Sequence, residues 1–301
     1  MIRSPLARRL LTLAVSAGLL GALVYAVQPA RLWASLLAVD LPLFLLGGVC
    51  TPLVLLAKIF RWRLLARQIE PISLRDAAAS YMHGLVLATI TPFAAGEAAR
   101  AMFLKPGNRA RLTGKVIVDK LIDLSTVGVL AGLGMFAYPA WRLEWLGLVL
   151  VAGAPSGWLL LAFIGRTRLV RAEGRQGALA KAALVVDGLA STSPLLLFKS
   201  FALSLAGFAF YYLQSLLLLR AFAPGAPVLA VAAFPAITLS TILPIAFSGV
   251  GVREGTAVLL LAPFGVDEAA AFNAAFLQFV VVQVVPVMLW AIRRRPRLNV
   301  E

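Results

Sequence analysis

The chain has 301 residues, of which 61% are hydrophobic and 14% charged, and its mean hydropathy is +0.92. That leaves too little polar side chain to cover a soluble surface, so the sequence reads as an integral membrane protein, with no long polar block left for a soluble catalytic domain. Lys and Arg outnumber Asp and Glu by 28 to 13, a balance of +15; because most basic residues flank apolar runs, anionic lipid and membrane topology explain it better than nucleic acid does.

Arg3, Arg8 and Arg9 precede the first apolar run, residues 10–27. The run is longer than a secretory signal core and no small-x-small cleavage site follows, so an uncleaved first crossing is expected. Further apolar runs follow at 36–57, 77–95, 116–138, 145–164, 195–219, 228–264 and 269–292. Basic patches lie at 3–9, 58–75, 100–115, 166–181 and 293–297, and the positive-inside rule places all of them on the cytoplasmic face. Two of these patches flank the run 77–95, so a simple crossing there would expose one of them outside. A re-entrant hairpin over 77–105 keeps both inside. The same reasoning makes 228–264 a second hairpin that begins and ends outside. The predicted fold is an all-α polytopic membrane protein with about six crossings and two re-entrant helical hairpins, arranged as an inverted repeat of residues 1–138 and 139–301. The stretch 171–191 is polar enough to lie along the cytoplasmic surface as an amphipathic helix.

The two hairpins carry the same phrase. TITPFAAGEAAR runs over 89–100 and TILPIAFSGVGVRE over 241–254. Pro92 removes a backbone donor and disfavours helix at Thr91, and Pro244 acts likewise in the second copy. A short helix is expected to restart after each break, at about 94–105 and 252–263. At 1.5 Å per residue each would span ~18 Å, roughly half the hydrocarbon core. Their N-terminal ends would lie at depth with free backbone donors, and Gly96, Gly249 and Gly251 would let an oxygen-rich group such as a phosphate approach.

Charged residues in these segments suggest what the hairpins hold. Arg100 and Arg253 are candidate phosphate ligands, while Glu97 and Glu254 would counter them, bind a cationic headgroup or carry a proton. The alternative reading is a set of charge pairs that lock the hairpins together. In KVIVDKLIDLSTVG, Asp119 and Asp123 share a helical face with Lys115 one turn before, so a chain Lys115–Asp119–Asp123 is expected to run inward. His83 reads as a hydrogen-bonded structural histidine, and Gln278 and Gln283 as ties between helices. Trp33, Trp62, Trp141, Trp145 and Trp290 read as interfacial anchors. With one Cys, Cys50, and one His there is no disulfide framework or histidine-rich metal centre, and no cofactor is expected.

TPFAAGEAARAMFL, then KVIVDKLIDL, then LPIAFSGVGVREG resemble, in that order, the motifs of the lysylphosphatidylglycerol synthase transmembrane family. This flippase-like membrane domain also forms the N-terminal part of multiple peptide resistance factors. The resemblance covers essentially the whole chain. It implies functional roles for Pro92, Gly96, Glu97, Arg100, Asp119, Asp123, Gly249, Gly251, Arg253 and Glu254. In the fused relatives the domain is implicated in moving aminoacylated phosphatidylglycerol, and a separate soluble domain attaches the amino acid. The chain ends at Glu301 without such a domain, so aminoacyl transfer is not expected of it.

The leading expectation is a non-enzymatic lipid flippase or transporter in the cytoplasmic membrane, with both termini cytoplasmic. Its cargo would be an anionic or zwitterionic phospholipid, or a polyprenyl-phosphate-type lipid. No nucleotide-binding glycine loop is present, so an ion gradient or the lipid gradient would drive it. The alternatives are a membrane enzyme acting on a lipid-linked sugar or phosphate, and a scaffold subunit for lipid synthesis. A second copy of the chain or a lipid-synthesis enzyme is left open as a partner.

Overall fold

A computed structural model describes residues 5–104, 108–138, 141–166, 177–241 and 247–293, and among these the secondary structure is entirely helical. Helix α1 (Pro5–Val27) is followed by α2 (Pro29–Leu37), with a bend of 79° between them. Gln28, at φ 70°, makes the corner, and Pro29 can start a helix but not continue one. Helix α3 (Leu41–Ala66) opens on Asp40, whose carboxylate accepts the Leu43 N–H at 3.0 Å. Helix α4 (Leu74–Ile90) opens in the same way on Ser73, which accepts from the Asp76 N–H at 3.1 Å.

The break expected at Thr91-Pro92 is present. Thr91 is extended (φ −117°, ψ 143°), as the residue before a proline prefers, and Pro92–Phe103 continues as a 3₁₀ segment. This is a correction to the α-helix expected at 94–105. Twelve residues wound at about 2.0 Å each reach ~24 Å, farther than an α-helix of that length. The segment folds back along α4 as a hairpin. A Cβ on Gly96 would lie 2.1 Å from the Leu87 carbonyl carbon, so only glycine lets the two limbs touch there. The hairpin's two ends are pinned together, because Asn108 Nδ2 donates to Glu70 Oε2 at 2.8 Å.

Helix α5 (Arg109–Ala137) leads to α6 (Glu144–Arg166). Helix α7 (Gly177–Ala190) packs on α5, and a Cβ on Gly114 would meet the Val185 carbonyl oxygen at 2.2 Å. The amphipathic helix expected at 171–191 is thus joined to the bundle over its described part; residues 171–176 lie outside the described residues. Helix α8 (Pro194–Phe222) packs along α3, where Gln214 Nε2 donates to Thr51 Oγ1 at 2.8 Å.

The second broken region comprises a 3₁₀ turn (Val228–Ala233), α9 (Phe234–Ser240), a turn at Phe247–Gly249 and α10 (Val252–Leu261). Pro244 lies outside the described residues. Helix α11 (Glu268–Phe279) then passes through a π segment (Val280–Val284) into α12 (Val285–Arg293). Pro286 lacks the N–H that would close an α-turn on the π segment, which accounts for the irregularity.

Among the described residues, three helical stretches are long and apolar enough to cross a bilayer: Leu41–Ala66, Pro194–Phe222 and Glu268–Arg293. The bent pair of α1 and α2 makes a fourth if counted as one span. Helices α5 and α6 have comparable lengths, 29 and 23 residues. Trp33 and Trp145 are exposed, as anchors would be, whereas Trp62 is fully buried, a correction to its reading as an interfacial residue.

Helix α5 fixes the relation between the two broken regions. The first hairpin's pinned base lies at the N-terminal end of α5, beside Asn108. At the other end of α5, Tyr138 donates to the Pro263 carbonyl at 3.1 Å and its ring meets that of Phe264. The bases therefore stand about 43 Å apart, the length of 29 helical residues. The Pro92–Phe103 segment nonetheless contacts the Phe247–Gly249 turn, so the two regions reach toward each other from opposite ends.

Candidate functional site

Three elements supply the buried charges. The last turns of α3 carry Lys58 and Arg61 three residues apart, hence on one face. Helix α5 offers Asp119 and Asp123 four residues apart, and the 3₁₀ segment brings in Arg100. Arg61 bridges both carboxylates, with Nε to Asp119 Oδ1 and Nη1 to Asp123 Oδ1, each at 2.6 Å. Arg100 Nη2 donates to the other oxygen of Asp119, also at 2.6 Å. Ser204 of α8 adds a hydroxyl to Asp123 at 3.2 Å, and Lys58 lies 3.9 Å from its second oxygen. Three cations and two carboxylates leave one positive charge in excess.

Arg100 is held in an aromatic frame. Its guanidinium lies 4.5 Å from the Trp62 ring and 5.6 Å from that of Tyr81, and Trp62 Nε1 is fixed by the Ser80 hydroxyl at 2.8 Å. The residue is only 1% exposed, yet its Nε and Nη1 have no hydrogen-bond partner. A crevice lined by Tyr81, Gly84, Leu85 and Glu97 adjoins it, too tight in this conformation to hold a water molecule. The backbone comes close because Gly84 has no Cβ; one placed there would be 2.9 Å from Arg100 Cβ.

Several expected partnerships are redrawn. Glu97 does not counter Arg100 but pairs with Lys120 of α5 at 2.5 Å. Lys115 does not lead into the aspartates: its ammonium is buried against Gln68, Ser191 and Thr192 at 2.6, 3.2 and 2.8 Å. One turn of helix separates it from Asp119, and its stem points the other way, toward the start of α8. Arg61 takes the place that Lys115 was expected to hold.

The glycines and the threonine serve the hairpins' own backbone. Thr91 Oγ1 accepts from the Gly96 N–H at 2.7 Å and donates to the Leu87 carbonyl, so one donor expected to be free at the tip is taken. Gly249 (φ 73°) packs on Thr241, and Gly251 (φ 86°) on Leu19 of α1. Both glycines adopt the left-handed backbone that side chains resist, and they turn the chain into α10. These contacts correct the expectation that Gly96, Gly249 and Gly251 leave room for an oxygen-rich group.

Arg253 and Glu254 form a pair of their own. Glu254 accepts the Gly251 N–H at 2.6 Å, the reciprocal arm of a capping box, and meets Arg253 Nε at 3.3 Å. Arg253 also lies 4.6 Å from the Phe279 ring, and its Nη2 lacks a partner. Among the described residues no ion pair joins this pair to the Arg100 cluster, so the two broken segments touch while their charges stay separate.

His83 stacks on Phe103 at 4.2 Å and meets Trp290 edge-on. Gln278 donates to Ser215, and Gln283 to Thr89 at 3.2 Å, so both act as the helix ties expected of them. Arg61, Lys58 and Lys120 were missed as site residues. The sequence offered a signal for the first two, since Lys58 and Arg61 share a face directly after an apolar run, but a basic patch also marks any cytoplasmic helix end.

No curated protein matches the chain significantly. The sequence profile described as the lysylphosphatidylglycerol synthase TM region matches residues 9–290. With that match spanning nearly the whole chain, the protein belongs to the lysylphosphatidylglycerol synthase TM region family.

Proposed function

We propose that the protein moves a lipid with a phosphate-bearing head between the leaflets of the cytoplasmic membrane, and that Arg100 receives the phosphate. The observation that carries this reading is the pair of unpartnered donors, Nε and Nη1, on a guanidinium that is 1% exposed. Leaving a buried donor unsatisfied costs on the order of 1–3 kcal/mol, and more for a charged group. An anion that reaches Arg100 when the surrounding helices part relieves that cost, and the excess positive charge of the cluster attracts it.

The arrangement of the broken regions supports transport rather than simple anchoring. Two hairpins based at opposite ends of α5 and meeting at their tips suit an inverted repeat of six crossings with two re-entrant elements. The packing of α3 on α8, the second crossings of the two halves, fits the same symmetry. In this reading the head passes through the polar interior while the tails stay in lipid. Family membership supports a role in lipid modification or flipping.

Leaflet exchange of labelled phosphatidylglycerol and polyprenyl phosphate in vesicles containing the purified protein tests the proposal. Exchange above protein-free vesicles is expected, with Arg100→Ala reducing it to background while the variant still inserts and folds. Background exchange by the wild type for every phosphate-bearing lipid tried overturns it.

A further inference from the structure

The ion pairs around Asp119 and Asp123 form a ladder of alternating charge that runs Lys58, Asp123, Arg61, Asp119, Arg100. Successive contacts measure 3.9, 2.6, 2.6 and 2.6 Å. Side-chain exposure falls from 31% at Lys58 and 16% at Asp123 to 2%, 3% and 1% at the other three. The ladder therefore leads from an accessible end to a shielded one.

Donors without a hydrogen-bond partner are found at both ends. Arg61, in the middle, gives Nε to one carboxylate and Nη1 to the other. Arg100 at the shielded end has Nε and Nη1 unpartnered. At the accessible end, the Lys58 ammonium has three donors and, among the described residues, no hydrogen bond. The Asp123 oxygen lies 3.9 Å from it and the Phe208 ring 5.7 Å. Asp123 is already engaged by Arg61 and Ser204, so it binds Lys58 weakly.

We infer that Lys58 is a first anion station and Arg100 a second, so that a phosphate-bearing head is captured at Lys58 and delivered along the ladder. The inference rests on the transport reading for its second station. Lysine suits capture, being a flexible point charge, and the arginine fork suits orientation. The carboxylates on Arg61 keep the middle of the ladder from holding the anion, which meets the requirement that a path bind well enough to admit a charge and weakly enough to release it. Arg61 is then a positioning residue.

The test varies the mole fraction of fluorescent phosphatidylglycerol in vesicles containing the full chain and reads the initial rate of leaflet exchange. Lys58→Gln is expected to raise the half-saturating fraction about tenfold, the worth of one exposed charge-assisted contact, and to keep the maximal rate. Lys58→Arg restores the half-saturating fraction, and Arg100→Gln lowers the maximal rate. An unchanged half-saturating fraction in Lys58→Gln, or a lowered maximal rate alone, overturns the inference. If the wild type exchanges nothing, the transport reading fails by itself. Lys58 is then judged by phosphatidylglycerol binding in nanodiscs, followed through Trp62, whose ring lies 4.5 Å from the Arg100 guanidinium. Taking Trp62 emission as the difference from a Trp62→Phe protein, a raised midpoint in Lys58→Gln sustains the first station and an unshifted one overturns it.

Discussion

Arg61 Nε and Asp119 Oδ1 lie 2.6 Å apart, with both side chains almost wholly shielded. A buried pair of this kind is costly to break from one side only, because the remaining charge stays in an apolar setting. Arg61→Leu is expected to destabilise the fold by about 3–5 kcal/mol, since it strips a partner from two carboxylates at once. Combined with Asp119→Leu it should cost less than the sum of the two single changes. Unfolding in mixed micelles, followed by helical circular dichroism, measures both; simple additivity would show that the pair is not coupled.

Gly96 tests the hairpin rather than its charges. Alanine there would bring a Cβ to 2.1 Å from the Leu87 carbonyl carbon, an atom of a rigid backbone that cannot step aside. The limbs must part, so Gly96→Ala should lose several kcal/mol of stability, in the upper range for single substitutions. Gly84→Ala makes the comparison of smaller overlap, because its new Cβ meets Arg100 Cβ at 2.9 Å rather than a carbonyl carbon at 2.1 Å, although that Cβ too moves only with its backbone. That variant should stay folded and shift Arg100 away from Trp62. Melting curves and Trp62 emission separate the two outcomes.

What the sequence made legible follows from local rules. A proline after threonine holds Thr91 extended and breaks α4 there, and a four-residue spacing puts Asp119 and Asp123 on one face, without reference to the rest of the chain. The Glu254 arm of the capping box is equally local, but the sequence reading assigns Glu254 to an arginine, a headgroup or a proton and does not foresee it. Partner choice is not local. Glu97 lies three residues from Arg100, on the same face of a 3₁₀ segment, yet α5 supplies each with its own partner, Lys120 for Glu97 and Asp119 for Arg100. Arg61 stood in a basic run that topology alone could explain, and only the packing of α3 against α5 gives it two carboxylates. Trp62 was misread for the same reason, since an indole near a helix end can meet headgroups or, as here, cover a buried guanidinium.

Thr89 and Gln283 offer a direct check on how the first hairpin docks against the last helix. Gln283 Nε2 donates to Thr89 Oγ1 at 3.2 Å from within the π segment. Four residues earlier, Phe279 lies against Arg253 of the second broken region. The last helix thus touches the first hairpin and the second broken region within about one turn. Cysteines at 89 and 283 in a protein without Cys50 should crosslink with a short bifunctional reagent. Removing the hydrogen bond alone, by Gln283→Ala, should cost about 1 kcal/mol. Crosslinking no faster than in a control pair on distant helices would place the last helix elsewhere.

The orientation of the first hairpin in the membrane is open to an equally plain experiment. Because Asn108 is bonded to Glu70, the residues that enter and leave the hairpin share one end of the molecule. Cysteines at Arg75 and Arg109 should therefore react with a membrane-impermeant maleimide from the same side, the cytoplasmic one by the positive-inside rule. A cysteine at Arg142, beyond the far end of α5, should react from the opposite side, since α5 extends about 43 Å over 29 residues. Labelling of positions 75 and 109 from opposite sides would make the segment between them a full crossing. The phosphate station at Arg100 would then lose the half-depth setting that transport requires of it.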